Sequence, residues 1–254
     1  MTQRPDTQGW IAITGASSGI GKATALFFAA HGYSVALIAR RTHLLEALER
    51  EIREHAHQNN LSLEVMCVTA DLSCEEGIDH AIETLSPLKL SLLIHNAAMI
   101  HPITSLMELS RSEWKRHQTL NVDAPLFITQ GLVTQLEGGR VIHISSGAAH
   151  KSVSGWGAYC ISKAALYRMW ACLKDELATK DIAIASVRPG VVDTEMQSEI
   201  RSADHPAFTQ RPYFEGLKAQ GQLIKPGQVA AFLYHLFHDV PSDKFSAHEW
   251  DIRD

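Results

Sequence analysis

Tyr159 and Lys163 stand four residues apart, a spacing that puts two side chains on one face of an α-helix. A phenol with an ordinary pKa near 10 is a poor acid at neutral pH. An ammonium about 4 Å away contributes roughly 4 kcal/mol at an effective dielectric of about 20, close to three pKa units. The pair is therefore expected to act as a proton donor whose lysine tunes the tyrosine toward working pH, suited to protonating an alkoxide left by hydride transfer to a carbonyl. By itself the spacing is common in helices, so other features of the chain must support it.

A second group lies near the start. Thr14-Gly15-Ala16-Ser17-Ser18-Gly19-Ile20-Gly21 follows a short apolar run and opens a helical pattern. Glycines in a strand-to-helix turn let the backbone approach a pyrophosphate, which meets the free N–H groups and positive dipole end of the helix. The spacing is GxxxGxG and not the commoner GxGxxG. About twenty residues on, where a carboxylate would accept from a ribose 2′-hydroxyl, the chain carries Ala39-Arg40-Arg41. Arg40 can bind a 2′-phosphate bidentately and Arg41 can stack on adenine or be solvated. Ser18, just before the second glycine, adds no charge to the loop.

These groups need elements to hold them. Short β-branched runs at 10–14, 34–39, 63–69, 90–95, 141–145 and 182–187, with a weaker one at 247–252, alternate with helical patterns along the whole chain. That rhythm predicts an α/β fold, a single-domain doubly wound Rossmann-type parallel sheet of about seven strands with helices on both faces. Ala23, Leu26, Phe27 and Ala30 are the expected buried stripe of the first helix, which ends near His31-Gly32. Ile78, Ala81, Ile82 and Leu85 give a later helix its apolar face, and Ser73 with Glu76 and Ser110 with Glu113 read as capping boxes. The stretch 193–225 breaks the rhythm at the ligand-binding edge. It is expected to be a lid, with a pair of surface helices as the alternative.

Composition narrows the function. The 254 residues are 45% apolar and 20% charged, with a formal net charge of −5, and no basic block offers counterion-release binding to nucleic acid. No apolar run approaches a membrane span and residues 1–8 contain no export signal. The four cysteines form no CxxC pair, so the cytoplasm is the expected compartment. His55-Ala56-His57 lacks a ligand framework, and no metal site is expected.

Taken in order, TGxxxGxG, Asp71 after the third strand, Asn96-Ala97-Ala98 after the fourth, and Tyr159-x-x-x-Lys163 resemble the short-chain dehydrogenase/reductase family across the whole chain. The resemblance implies an NADPH-dependent carbonyl reductase with four catalytic residues. These are Tyr159, Lys163, Ser146, which lies thirteen positions before the tyrosine and would hold the carbonyl, and Asn121, which would position a water chain. Ser145 competes with Ser146. NADP(H) would be bound by Gly15, Ser17, Ser18, Gly19, Ile20 and Gly21, by Arg40, Arg41, Asp71, Leu72, Asn96 and Ala97, and by Pro189, Gly190, Val192 and Thr194, besides Tyr159 and Lys163. His95-Asn96-Ala97-Ala98 departs from the usual Asn-Asn-Ala-Gly.

The segments 145–160 and 188–197 are similar to the sepiapterin reductase and benzil reductase branch, which implies an aromatic or vicinal dicarbonyl substrate. Trp156 and Met196 would then line its pocket, with Met99, Phe208, Phe214 and Leu217 as further apolar candidates. Asp251 would anchor a pterin edge, or else be a solvated carboxylate. A homodimer or homotetramer built on the helices around Asn121 and Tyr159 is implied as well. A chain that merely sensed NADP(H) could lose the acid and lysine freely, whereas all four catalytic positions here hold competent residues.

Overall fold

The computed structural model describes residues 9–253; residues 1–8, read above as lacking an export signal, lie outside them. Seven strands form one parallel sheet: β1 (Trp10–Thr14), β2 (Val35–Ala39), β3 (Val65–Thr69), β4 (Leu90–His95), β5 (Arg140–Ile144), β6 (Ala183–Arg188) and β7 (Trp250–Asp251). Their spatial order is β3-β2-β1-β4-β5-β6-β7. The chain therefore winds outward from β1 in one direction and from β4 in the other. β1 and β4 meet at the topological switch point, where ligands of such sheets bind.

Both faces are covered, and so β2 is buried at all five positions. On one face lie α1 (Gly19–Ala30), α2 (Thr42–Gln58) and α9 (Pro226–Asp239), where Phe28, Leu45 and Leu233 are fully buried. On the other lie α3 (Glu75–Leu85), α4 (Arg111–Gln118), α5 (Ala124–Gly131) and α6 (Gly157–Ala178), whose core includes Ile78, Ile128 and Trp170. α7 (Glu195–Ser202) and α8 (Arg211–Ala219) stand above the carboxyl ends of the strands, and α10 (Ser242–Phe245) leads into β7.

Several local expectations shift. α1 buries Gly21, Thr24, Ala25, Phe28 and Ala29, not the stripe through Ala23, Leu26, Phe27 and Ala30. The sequence from Ala23 to Ala30 is almost continuously apolar, and periodicity then leaves the buried face undetermined. Phe27 instead packs its ring on Tyr234 of α9, 5.4 Å away. The Ser110–Glu113 capping box forms. The Ser73–Glu76 box does not, because Cys74 is the N-cap and the Ser73 hydroxyl donates to Asp71 at 2.7 Å. β7 is two residues long where six were expected, and the other strands match within two residues at each end.

The insertion 193–225 folds as α7 and α8. Ile200, Phe208 and Phe214 bury themselves against Trp156 and Tyr159 in a third apolar cluster. The segment is therefore helical and packs at the edge of the sheet. Among the described residues no helix is long and apolar enough to cross a membrane, and no group of three or more His, Cys, Asp or Glu gathers as metal ligands.

Candidate active site

The loop after β1 turns into α1 through Gly15 at φ +67° and Gly19 at φ +54°, a region that favours glycine. A Cβ on Gly21 would fall 2.3 Å from the Gly15 carbonyl oxygen, so the turn is as tight as a backbone allows. Asn96 fixes the loop to the end of β4 by donating from Nδ2 to the carbonyls of Thr14 (2.9 Å) and Gly15 (3.2 Å). Thr14 completes the seam, its hydroxyl accepting from the amides of Asn96 and Ala97 at 3.0 Å each.

Above this seam opens a cleft of about 600 Å³, within the range of small-molecule sites. Gly15, Ser17, Ser18, Gly19, Ile20, Arg40 and Arg41 line one end, with Leu72, Asn96 and Ala97 beside them. Ser146, Trp156, Tyr159, Lys163 and Met196 line the other end, with Pro189, Gly190 and Val192, and Thr194 lines the wall beside Gly19. Gly21, Asp71 and Asn121 lie behind the wall.

The two arginines divide their work differently from expectation. Arg40 is exposed and lies 4.0 Å from Asp71. Burial would raise the Asp71 carboxyl, but hydrogen bonds from Ser73 and the charges of Arg40 and Arg116 hold it below its ordinary range. Arg41 is half-exposed and engaged by the chain's own side chains. Its guanidinium donates to Ser18 Oγ at 2.7 Å, to Ser17 Oγ at 3.0 Å and to Glu195 Oε2 at 2.8 Å. The cation that Ser18 fails to supply is delivered to the glycine loop by Arg41. Glu195 escaped the sequence reading because no local pattern links positions 41 and 195.

Tyr159 and Lys163 share a face in the first turns of α6, both buried. Ser146 caps the short 3₁₀ turn Gly147–Ala149, accepting from the Ala148 amide at 3.1 Å. Ser145 is buried with its hydroxyl unpaired. Burial pushes Tyr159 up to about 12, a rise opposed by its hydrogen bond with Ser146. Lys163 is pushed down to about 8 by burial. Its ammonium donates to the Ile144 carbonyl at 2.8 Å and lies 5.7 Å from the centre of the tyrosine ring. The ammonium thus stands beside the ring, as the four-residue spacing predicts, and burial is the largest influence on the phenol.

Asn121 sits in a π-helical turn, Thr119–Asp123, joining α4 to α5. Its amide oxygen accepts from the Met99 amide, and its nitrogen donates to the Met99 carbonyl and to Ser162 Oγ, all at 2.9 to 3.0 Å. The side chain therefore braces the wall after β4 against α6. Three histidines nearby are buried, of which only His95 stands out in the sequence, as a departure from the usual motif. His117 lies edge-on to Tyr159 at 6.4 Å and is lowered to about 4 by burial and then by Lys163. His143 is lowered to about 3 for the same two reasons, and its ring meets that of His95 at 5.3 Å. The four-residue step from His117 to Asn121 was the available signal for the first of them.

Asp251 is placed differently from the pterin-anchor reading and from its solvated alternative. It is 1% exposed and off the cleft wall. Arg253 donates to both its oxygens and Arg188 lies 3.2 Å away, so the carboxylate has no edge to offer a ring. The hydrogen bonds from Arg253 bring its pKa down to about 2 against burial. A depressed carboxyl contributes stability above its unfolded pKa and loses it as pH falls toward 2. Asp251→Asn is expected to cost about 2 kcal/mol at pH 7 in urea unfolding and to change kcat/KM equally for a pterin and for benzil. A loss confined to the pterin would restore the anchor.

The residues present fit a nicotinamide dinucleotide: a pyrophosphate-sized turn without room for a Cβ, serine hydroxyls and guanidinia where a carboxylate would otherwise accept from a ribose 2′-hydroxyl, and a buried phenol and ammonium at the far end. The chain belongs to the short chain dehydrogenase family, which it matches over residues 9–205. Among its relatives are benzil reductases ((S)-benzoin forming) of Bacillus cereus, 30% identical over 89% of this chain and 93% of the relative, and of Bacillus subtilis, 32% identical over 88% and 91%. A short-chain dehydrogenase/reductase structure from Saccharomyces cerevisiae superposes with a TM-score of 0.84 at 25% identity, covering 97% of this chain and 96% of that one. The L-sorbose reductase of Gluconobacter frateurii, solved with NADPH and L-sorbose, shares the fold with a TM-score of 0.80 at 24% identity, over 96% and 94% of the two chains.

Proposed function

We propose that this oxidoreductase uses NADPH to reduce a ketone or vicinal dicarbonyl compound of the benzil type. The observation that carries the reading is the convergence of Ser146, Tyr159 and Lys163 at one end of the cleft whose other end is the glycine turn and Arg40–Arg41. The bound cofactor supplies the hydride. Ser146 holds the carbonyl oxygen, and Tyr159, fully protonated at neutral pH because burial raises it, gives its hydroxyl proton to that oxygen. Lys163 keeps a positive charge behind the phenol as it becomes a phenolate, and Asn121 holds the wall they share. Segment 193–225 acts as the lid, its Phe208 and Phe214 stacked on Trp156 at 5.7 and 5.3 Å, and Trp156 and Met196 face the substrate. The likeness to two benzil reductases supports the substrate class. We assign the chain to the cytoplasm as a homodimer or homotetramer.

The direct test is NADPH oxidation against a panel of diketones, aryl ketones and pterins. Turnover of none of them would overturn the reading. NADPH is expected to bind far more tightly than NADH, and Arg40→Asp should narrow or reverse the preference, since a carboxylate repels a 2′-phosphate and accepts from a 2′-hydroxyl. Equal dissociation constants for the two cofactors in the parent would remove NADP(H) from the assignment.

A further inference from the structure

Arg41 holds an anion that the chain itself provides. Its guanidinium is the meeting point of three segments distant in sequence: Ser17 and Ser18 of the glycine loop, its own position at the start of α2, and Glu195, 154 positions further on, at the start of α7. All four residues line the cleft. The pair with Glu195 is at 2.8 Å, and both side chains remain substantially exposed, at 40% and 59%. Nothing buries the bond, so it can open without unfolding anything. Asp71, the partner of Arg40, is held by Ser73 as well, whereas among the described residues the Glu195 carboxylate accepts from Arg41 alone.

A carboxylate and a phosphate are alternative partners for one guanidinium, and both bind it through the same N–H fork. We propose that Glu195 is a built-in competitor for the 2′-phosphate subsite: it occupies Arg41 in the cofactor-free chain and is displaced when NADP(H) binds. This rests on the NADP(H) reading above, with Arg41 joining Arg40 at the 2′-phosphate, both lining the same end of the cleft. NAD(H) carries no 2′-phosphate and leaves the pair closed.

Displacement has a mechanical consequence. α7 begins at Glu195 behind its N-cap Thr194. A Cβ on Gly19 would come within 3.0 Å of the Thr194 methyl, so the start of α7 lies directly against the glycine loop. Met196, Gln197 and Ile200 of the same helix line the cleft. The Arg41–Glu195 bond is therefore a tether from the adenosine end of the cleft to the helix over its substrate end. A 2′-phosphate on Arg41 releases the tether at the moment the cofactor arrives, and Glu195 sets both the strength of NADP(H) preference and the freedom of α7.

The test needs no turnover. Adenosine 2′,5′-bisphosphate and ADP are titrated calorimetrically into the parent, Glu195→Gln, Arg41→Ala and the double variant, with amide hydrogen exchange followed over residues 195–202. Removing an exposed competitor and its repulsion should tighten the bisphosphate about fivefold in Glu195→Gln at low salt and less at high salt. ADP should change less than twofold, and the gain should vanish on the Arg41→Ala background. In the parent, the bisphosphate and not ADP should speed exchange in α7. Unchanged or weakened bisphosphate binding in Glu195→Gln, equal tightening of both ligands, or a gain that persists without Arg41 would each overturn the proposal while leaving NADP(H) preference intact. A parent that binds the two ligands equally would overturn that preference as well.

Discussion

Tyr159→Phe is expected to lower kcat for carbonyl reduction by about 10²- to 10⁴-fold, the range general-acid catalysis contributes, with the NADPH dissociation constant within about threefold of the parent. The substitution removes one oxygen and keeps the ring that packs edge-on against Trp156 at 5.8 Å, so the fold and the cofactor end of the cleft should persist. Because burial holds the phenol up at about 12, the parent rate should show no limb from tyrosine ionisation below pH 10. Single-turnover rates with saturating NADPH, together with fluorescence titration of the cofactor, check both halves. A variant that keeps more than about a hundredth of the rate would contradict the acid role.

Lys163→Met should damage function and improve stability at once. Lys163 is only 3% exposed, and burial lowers it to about 8. A basic group lowered in the folded state weakens folding wherever it is charged, and that penalty is relieved as pH rises from about 8 toward 10.5. A shift of this size corresponds to about 3 kcal/mol. Losing the hydrogen bond to the Ile144 carbonyl returns part of it, so the Met variant should be about 1 to 2 kcal/mol more stable at pH 7. Its kcat/KM should fall by about 10²-fold or more, and the parent's loss of activity as pH climbs through 8 should disappear. Urea unfolding at pH 7 and 10 with a pH–rate profile measures all three effects. A Met variant less stable than the parent at pH 7 would show that the lysine is structural.

Much of this site was legible because its chemistry is local. The glycine turn, Ser110–Glu113 and Tyr159–Lys163 depend on residues within a few positions of one another, and each expectation about placement survives. The faces of α1 were not legible, since an apolar run such as Ala23–Ala30 fits more than one orientation. Nor was the fate of charges. Arg41 finds Glu195 and Asp251 finds Arg188 only through tertiary structure, and the tyrosine's titration depends on how deeply α6 buries it. Asn121 was recognised by its surroundings in sequence, but what its amide bonds to could be seen only once Met99 lay beside it.

The seam between β1 and β4 joins Thr14 to Ile94, 80 positions apart, whereas β1 and β2 pair across a single helix. Contacts that close so long a loop form slowly, because chain entropy is spent before the contact returns anything. The dinucleotide turn is built on this seam, through Thr14 and Asn96, and so is among the last features to acquire its native shape. A ligand that recognises the finished turn has nothing to grip in the folding transition state. Saturating NADPH should therefore slow the unfolding limb of a chevron plot and leave the refolding limb where it was.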